Sequence, residues 1–251
     1  MFTEERQQRI LVILKEMSSI RVSELAEKFD VSESTIRRDL QDMQEKGMLT
    51  RTHGGAVGTD RTSFEPSFKE KEAEKHDEKS NIGIIASQMV EDGDTIILDA
   101  GTTTLEIAKH LTEKNITVIT NSIDVANEFS NRENVELIVT GGSLRLNTRA
   151  MVGHVAEDML KNFRVDKAFI GTNGISIEEG ITTPNFMEAQ TKRAMISVAN
   201  KVIVVADSSK FNKVCFSVIC PIRSVSTILS SDDIEMSIVK EYRDSGVEIL
   251  K

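Results

Sequence analysis

Cysteine is scarce in this 251-residue chain, which holds only Cys215 and Cys220. Neither is joined by a nearby histidine into a metal-ligand spacing, so no metal site is expected, and the pair reads as reduced, partly buried thiols. Long apolar runs are lacking as well: nothing approaches the ~20 residues that a membrane span requires. The polar, acidic start Met1-Phe2-Thr3-Glu4-Glu5-Arg6 does not read as a signal peptide. A cytoplasmic location with no membrane partner is therefore expected. Excess positive charge is missing too. The formal net charge is −9, and Met1–Val57 carries nine Lys+Arg against ten Asp+Glu, which leaves −1. Bulk electrostatics thus gives no argument for nucleic acid, and any such argument must rest on where the charges sit. Finally, neither G-x-G-x-x-G nor G-x-x-x-x-G-K-[ST] occurs, which disfavours a dinucleotide or ATP. No cofactor is expected.

What is present begins with a helical period. Ile10, Ile13, Leu14 and Met17 share one face of a first helix that starts after Thr3. A short second helix runs from Ser23 to Phe29 and stops at Asp30-Val31. Ser32 is then placed to cap a third helix, Glu33 to about Lys46, with Gly47 suited to end it. Two helices across so tight a turn make a helix-turn-helix candidate. At ~100° per residue, Ile36, Leu40 and Met43 fall in one narrow, buried sector. Ser34, Arg37, Arg38 and Gln41 fall opposite, with Asp39 and Asp42 on the flanks. The outward groups are those that read base edges and grip phosphates in a major groove. Met48–Val57 then reads as strand, glycine turn and return strand, the wing of a winged helix, with Arg51 and His53 beside a DNA backbone. The competing reading is a helical docking module whose arginines are merely solvated.

From Thr59 to Ser80 the apolar period lapses, Pro66 interrupts it, and Lys69–Lys79 mixes Lys and Glu, as a solvated, partly helical connector would. A helix resumes at Ile82, Ile85, Ala86 and Met89. Apolar, β-branched runs follow at Thr95–Leu98, Ile116–Thr120, Val135–Thr140, Lys167–Ile170 and Lys201–Val205, with helical stretches between them. This rhythm predicts an α/β domain with a mostly parallel sheet and helices on both faces. Domains are thus expected at 1–58 (winged helix-turn-helix) and 81–251 (sensing and oligomerisation), joined by a linker at 59–80.

All five runs end in small hydrogen-bonding loops: Asp99–Thr104, Asn121-Ser122, Gly141-Gly142-Ser143, Gly171-Thr172-Asn173-Gly174 and Asp207–Lys210. An open α/β sheet binds ligands at such carboxyl ends. Gly101-Thr102-Thr103-Thr104 opens into a helix, which suits a phosphate. Lys192, Arg193 and Lys210 supply cations, while Asp99 and Glu188 supply acceptors for sugar hydroxyls. The plainer alternative is that each loop is only a tight turn.

Two dense stretches resemble the DeoR/GlpR family of bacterial transcriptional regulators. The first is Val31-Ser32-Glu33-Ser34-Thr35-Ile36-Arg37-Arg38-Asp39-Leu40, followed by Gly47-x-Leu49-x-Arg51-x-His53-Gly54-Gly55-Ala56. The second spans Asp99–Thr104, Thr120-Asn121-Ser122, Gly141-Gly142, Asp166–Gly171, Glu188–Ile196 and Ala206–Phe211. The resemblance implies a sensor domain similar in fold to ribose-5-phosphate isomerase that binds a phosphorylated sugar, and it adds Ser32 and Thr35 to the DNA-contacting set. Within the family, Gly171–Ile175 and Thr182-Thr183-Pro184 resemble regulators of fructose utilisation, although Asn212 stands where many relatives have glycine.

The expected function is a homo-oligomeric repressor, dimer or tetramer, of a sugar-utilisation operon. It would bind double-stranded operator DNA under the control of a phosphorylated sugar, and it is not expected to be an enzyme. The alternative is a sugar-phosphate isomerase with a DNA-binding appendage, in which Asp99 and Glu188 act as acid and base and Lys192 or Lys210 stabilises an enediolate.

Overall fold

The computed structural model describes residues 3–17, 19–45, 48–58, 62–63 and 65–251, in two units, Met1–Phe64 and Glu65–Lys251. The first contains α1 (Thr3–Met17), β1 (Ser19–Arg21), α2 (Val22–Phe29), α3 (Glu33–Glu45), β2 (Leu49–Thr52) and β3 (Gly55–Gly58). Its core joins Ile10, Ile13 and Leu14 of α1 to Leu25 of α2, Ile36, Leu40 and Met43 of α3, and Leu49 and Ala56 of the wing. Met17 shares the period but ends its helix uncovered, 58% exposed. Between α2 and α3, Asp30 takes a left-handed conformation (φ 53°) that turns the chain sharply, and Ser32 Oγ accepts the Thr35 N–H at 3.2 Å to start α3. Lys46 and Gly47, the expected end of that helix, lie outside the described residues.

The wing has a third strand. β1 pairs antiparallel with β3, giving the order β1-β3-β2. Three residues are too few to show a period of two. Gly55 is demanded by this pairing, since a Cβ there would stand 1.9 Å from the Ile20 carbonyl oxygen.

The second unit begins earlier than the connector reading implied. Glu65 and Phe68 are already part of it: α4 (Phe68–Ala73) and α5 (His76–Gln88) pack on the sheet, with Phe68 and Ile82 in one core cluster. The Lys/Glu-rich run therefore does not form a solvated linker from Glu65 onward. There follow β4 (Thr95–Leu98), α6 (Thr102–His110), β5 (Ile116–Thr120), α7 (Ile123–Phe129) and β6 (Val135–Val139), then the hairpin β7 (Ser143–Arg145) and β8 (Ala150–Val152). The chain continues through α8 (His154–Leu160), β9 (Val165–Gly171), β10 (Gly174–Ser176), β11 (Gly180–Thr183), α9 (Phe186–Ser197), β12 (Ala199–Val205), β13 (Ser217–Cys220), β14 (Thr227–Leu229), α10 (Met236–Asp244) and β15 (Glu248–Leu250).

Seven strands form one parallel sheet in the order β15-β14-β12-β9-β4-β5-β6. Alternation along the strands places helices on both faces. Ile96, Leu98, Phe169, Ile203 and Leu229 point to α5, α6 and α7, whereas Ile97, Ala168, Ile170 and Val202 point to α8 and α9. Ile228 and Ile249 meet Val239 and Tyr242 of α10. Five of the seven strands are those expected. β14 and β15 add an edge, and β10, β11 and β13 form a small antiparallel sheet of their own. The chain fills β4-β5-β6 in one direction and β9-β12-β14-β15 in the other, so the winding reverses between β4 and β9, where an open α/β sheet leaves a crevice. Among the described residues, no helix is long and apolar enough to cross a membrane, and no cluster of His, Cys, Asp and Glu is arranged to hold a metal ion.

Candidate functional site

On α3 the inward residues Ile36, Leu40 and Met43 are fully buried, while Ser34, Arg37, Arg38 and Gln41 are exposed. Asp39, on the flank toward α1, is buried as well as turned from the arginines. It is 4% exposed and held by both Arg6 Nε and Arg6 Nη2, the latter at 3.0 Å. Asp42 accepts from Gln7 Nε2 at 2.7 Å. Both carboxylates of the helix middle are thereby tied to α1 rather than left beside the arginines. Arg37 reaches back one turn to Glu33 at 2.8 Å, an exposed pair of little energetic weight. Arg38 pairs with no described residue. The wing is fastened to the helix: the Arg51 guanidinium donates to Gln41 Oε1, the Arg51 N–H donates to Gln44 Oε1 at 2.8 Å, and Gln41 Nε2 donates to Glu45 at 2.8 Å. Ser32, Thr35 and Ser34 form a hydroxyl cluster at the helix start, Ser32 Oγ lying 2.8 Å from each of the other two. His53 sits exposed in the wing turn.

In the second unit, a pocket opens at the β4/β9 reversal. The loop after β4 contributes Ala100, Gly101, Thr102 and Thr103, the end of β9 contributes Gly171, Thr172 and Asn173, and the loop after β12 contributes Asp207 and Lys210. Glu188 and Lys192 enter from α9, Phe68 and Lys71 from α4, Lys79 from α5, and Thr148 from the β7–β8 turn. Because Thr102 and Thr103 are in the first turn of α6, their N–H groups have no intrahelical partner.

Of the expected ligand residues, Gly101, Thr102, Thr103, Thr172, Asn173, Glu188, Lys192 and Lys210 are brought together here. Asp99 lies behind them, paired with Lys192 and accepting the Gly171 N–H at 3.0 Å. The others hold the scaffold. Thr104 Oγ1 donates to the Asp99 carbonyl at 2.6 Å, and Asn121 bridges the Ala100 N–H (2.8 Å) and the Met151 carbonyl (3.1 Å). Ser122 caps α7. Gly141 and Gly142 turn β6 into β7 at positive φ (66° and 108°), and Gly174 gives way to the Lys213 carbonyl, which a Cβ would approach to 2.6 Å. The loops after β5 and β6 miss the pocket because sheet order sets them beyond β4, where β8 covers them. Arg193 also points elsewhere, its Nε donating to the Ile219 carbonyl at 3.1 Å on β13.

Four lysines thus face one pocket. Burial lowers the Lys71 and Lys79 ammonium groups from their usual range. Burial raises the Glu188 carboxyl, but Lys192, Thr148, Lys71 and Arg145 together hold it below its ordinary value. Asp207 is also lowered, as burial is outweighed by Lys210, Ser209 and Lys79. Against Lys71, Lys79, Lys192 and Lys210 stand Asp99, Glu188 and Asp207, which leaves 4 − 3 = +1 beside the positive end of a helix.

Residues 6–62 match the DeoR-like helix-turn-helix domain, and residues 74–232 match the DeoR C terminal sensor domain. The chain belongs to the DeoR family. It is a DNA-binding transcriptional regulator. It is 39% identical to an uncharacterized HTH-type transcriptional regulator, YulB, of Bacillus subtilis (strain 168), over 99% of this chain and 96% of that protein. A putative aga operon transcriptional repressor of Escherichia coli O157:H7 is 37% identical over 99% and 93%. The α/β unit also overlays ribose 5-phosphate isomerase A from Methanocaldococcus jannaschii at a TM-score of 0.41, with 20% identity over 54% of each chain, a likeness too loose to bear on the site.

In this DeoR-family chain, the pocket residues missed by sequence reasoning are chiefly Phe68, Lys71, Lys79, Thr148 and Asp207. Asp207 stood in a strand-end loop already singled out. Lys71 and Lys79 were hidden in a run of mixed charge that has the composition of a solvated face. Glu78, beside Lys79, is the anchor that brings α5 to the β12 loop: its Oε2 accepts from the Ser208 N–H at 2.9 Å and from Ser231 Oγ at 2.7 Å. Burial pushes the Glu78 carboxyl up, yet Lys75, Ser208 and Ser231 prevail and hold it down to about 2.

Proposed function

We propose that this regulator represses a sugar-utilisation operon and releases its operator when a phosphorylated sugar enters the β4/β9 pocket. The observation that carries the reading is the gathering of four lysines and the α6 N-terminus around threonine and asparagine side chains. Lysines and a helix end suit a phosphoryl group, and the polar side chains suit sugar hydroxyls. These groups recognise a class, phosphorylated polyols, more than one sugar. The chain acts as a homo-oligomer that pairs two readers on an operator, and the ligand shifts the population by binding the low-affinity arrangement more tightly. The reading involves no turnover. Asp99 and Lys192 neutralise each other, and Glu188 is engaged by Arg145 and Thr148, so neither carboxylate stands ready as a base.

A thermal-shift screen of phosphorylated sugars against their unphosphorylated parents tests the sensing half. A ligand present at about 100 times its Kd stabilises by about 2.7 kcal/mol. Stabilisation by at least one sugar phosphate and by none of the parent sugars is expected. A uniform lack of response to every phosphorylated compound would refute it.

At the DNA, α3 lies in the major groove with Ser34, Arg38 and Gln41 toward the bases, while Ser32, Thr35, Arg37, Arg51 and His53 meet the backbone. Arg38→Ala is expected to cost about 1–3 kcal/mol of affinity and to change the sites selected from a random duplex pool. Arg37→Ala, which removes an arginine shared with Glu33, should weaken all sequences alike and flatten the salt dependence. Unaltered affinity and site choice in both variants would contradict this placement of α3.

A further inference from the structure

Glu65 opens the second unit, and its side chain is 6% exposed. Its two oxygens are divided between two cations. Lys71 Nζ lies 3.4 Å from Oε1, and Arg145 Nη2 donates to Oε2 at 2.8 Å. Lys71 lines the pocket, and the other arm of Arg145 holds Glu188, which lines it too. The backbone nearby is strapped to the β7–β8 turn: Asn147 Nδ2 donates to the Glu65 carbonyl at 3.1 Å, and the Phe68 N–H donates to the Asn147 carbonyl at 2.8 Å. Residues 65–73 fall between the two family matches, so neither of those accounts for this carboxylate.

A carboxylate is therefore held by one cation that a phosphoryl group entering the pocket would seek, Lys71, and by an arginine that ties it to the pocket's Glu188. We propose that Glu65 is an internal competitor of the ligand: an anion that binds in the pocket takes Lys71 from Glu65 and thereby loosens the strap at residues 65–68. A phosphate monoester carries about −1.5 to −2 charges at pH 7 and three acceptor oxygens, against one charge and two oxygens for the carboxylate, so the exchange favours the ligand. Burial already lowers the Lys71 amine, which Glu65 at 3.4 Å only partly offsets. Since the strap is the first segment of the sensor unit, ligand binding is converted directly into loosening of the end at which that unit begins. The inference rests on the reading of the pocket as an anion site.

Inorganic phosphate, titrated into the full chain, is the probe, read by calorimetry and by amide hydrogen exchange. In the wild type, phosphate should slow exchange over residues 100–104 and speed it over residues 65–71. Glu65→Gln should bind phosphate roughly tenfold more tightly, the gain expected when a competent state populated about one time in ten becomes dominant. Without phosphate, this variant should already exchange residues 65–71 at the rate of the phosphate-bound wild type. Slowing at 100–104 with no change at 65–71, or equal affinity in the two proteins, overturns the competitor role and leaves the anion site standing. No slowing at 100–104 in either protein removes the anion site and the inference with it. If Glu65→Gln does not fold, the two exchange responses of the wild type decide the matter alone.

Discussion

Lys192→Met is expected to destabilise the sensor unit by about 3–5 kcal/mol at neutral pH, the usual consequence of stranding a buried charge. Asp99 is 1% exposed; with Lys192 gone, its carboxylate keeps the Gly171 N–H as its remaining partner through one oxygen, while the other oxygen is already without one. The loss should depend on pH in a defined direction. Burial already raises the Asp99 carboxyl, and Lys192 is the principal group opposing that rise. Removing the lysine lifts the folded-state value further above the ordinary 3.8. A group raised on folding contributes stability that is full below its unfolded value and is lost as pH rises through the folded one. The variant should therefore recover relative to wild type as pH falls from 7 toward 4. The pair Asp99→Asn/Lys192→Met should recover much of the loss, because no charge is left stranded at position 99, while Glu188 keeps Arg145 and Thr148. Denaturant midpoints at several pH values check this. A loss below about 1 kcal/mol at pH 7 would mean that the pair is solvated as a surface ion pair is.

Leu40→Ala is expected to cost about 2–5 kcal/mol, all of it in the DNA-reading unit. Leu40 is fully buried where α3 meets α1, α2 and the wing. A unit of this size buries a modest share of its surface and has little stability in reserve, so the variant should unfold its reader near ambient temperature. The sensor unit has separate cores and should keep its own transition. Two resolved transitions in calorimetry, the lower one shifted and the upper one unmoved, are the expected record. DNA binding should vanish while any response to sugar phosphates persists. A single transition shifted as a whole would show that the units unfold together.

The elements that were legible in both units each rest on a local period. The 3.6-residue spacing of Ile36, Leu40 and Met43 settles which side of α3 faces out, and the β-branched runs locate β4, β5, β6, β9 and β12. Strands of three residues, such as β1, β14 and β15, span too little chain to display alternation and exist only because a neighbour pairs with them. The strand-end loops were legible as loops, but all five looked alike.

Sheet order decided among them. Only the loops after β4, β9 and β12 border the reversal, while Asn121, Ser122, Gly141 and Gly142 serve the far side. The buried charges show the same division. Asp39 meets Arg6 across 33 positions, Asp99 meets Lys192 across 93, and Glu78 meets Ser208 across 130. Local composition marks each of these residues as solvated, and burial reverses that reading through a partner that no spacing announces. The sequence alone thus determined a winged helix-turn-helix with its arginines outward and an α/β unit with ligand loops at its strand ends. Only the tertiary structure decided which loops share a pocket, and that Lys71 and Lys79, from a stretch that reads as linker, line it with Glu65 behind Lys71. The physical reason is that periodicity is a property of neighbours in the chain, whereas a binding site is a property of neighbours in space.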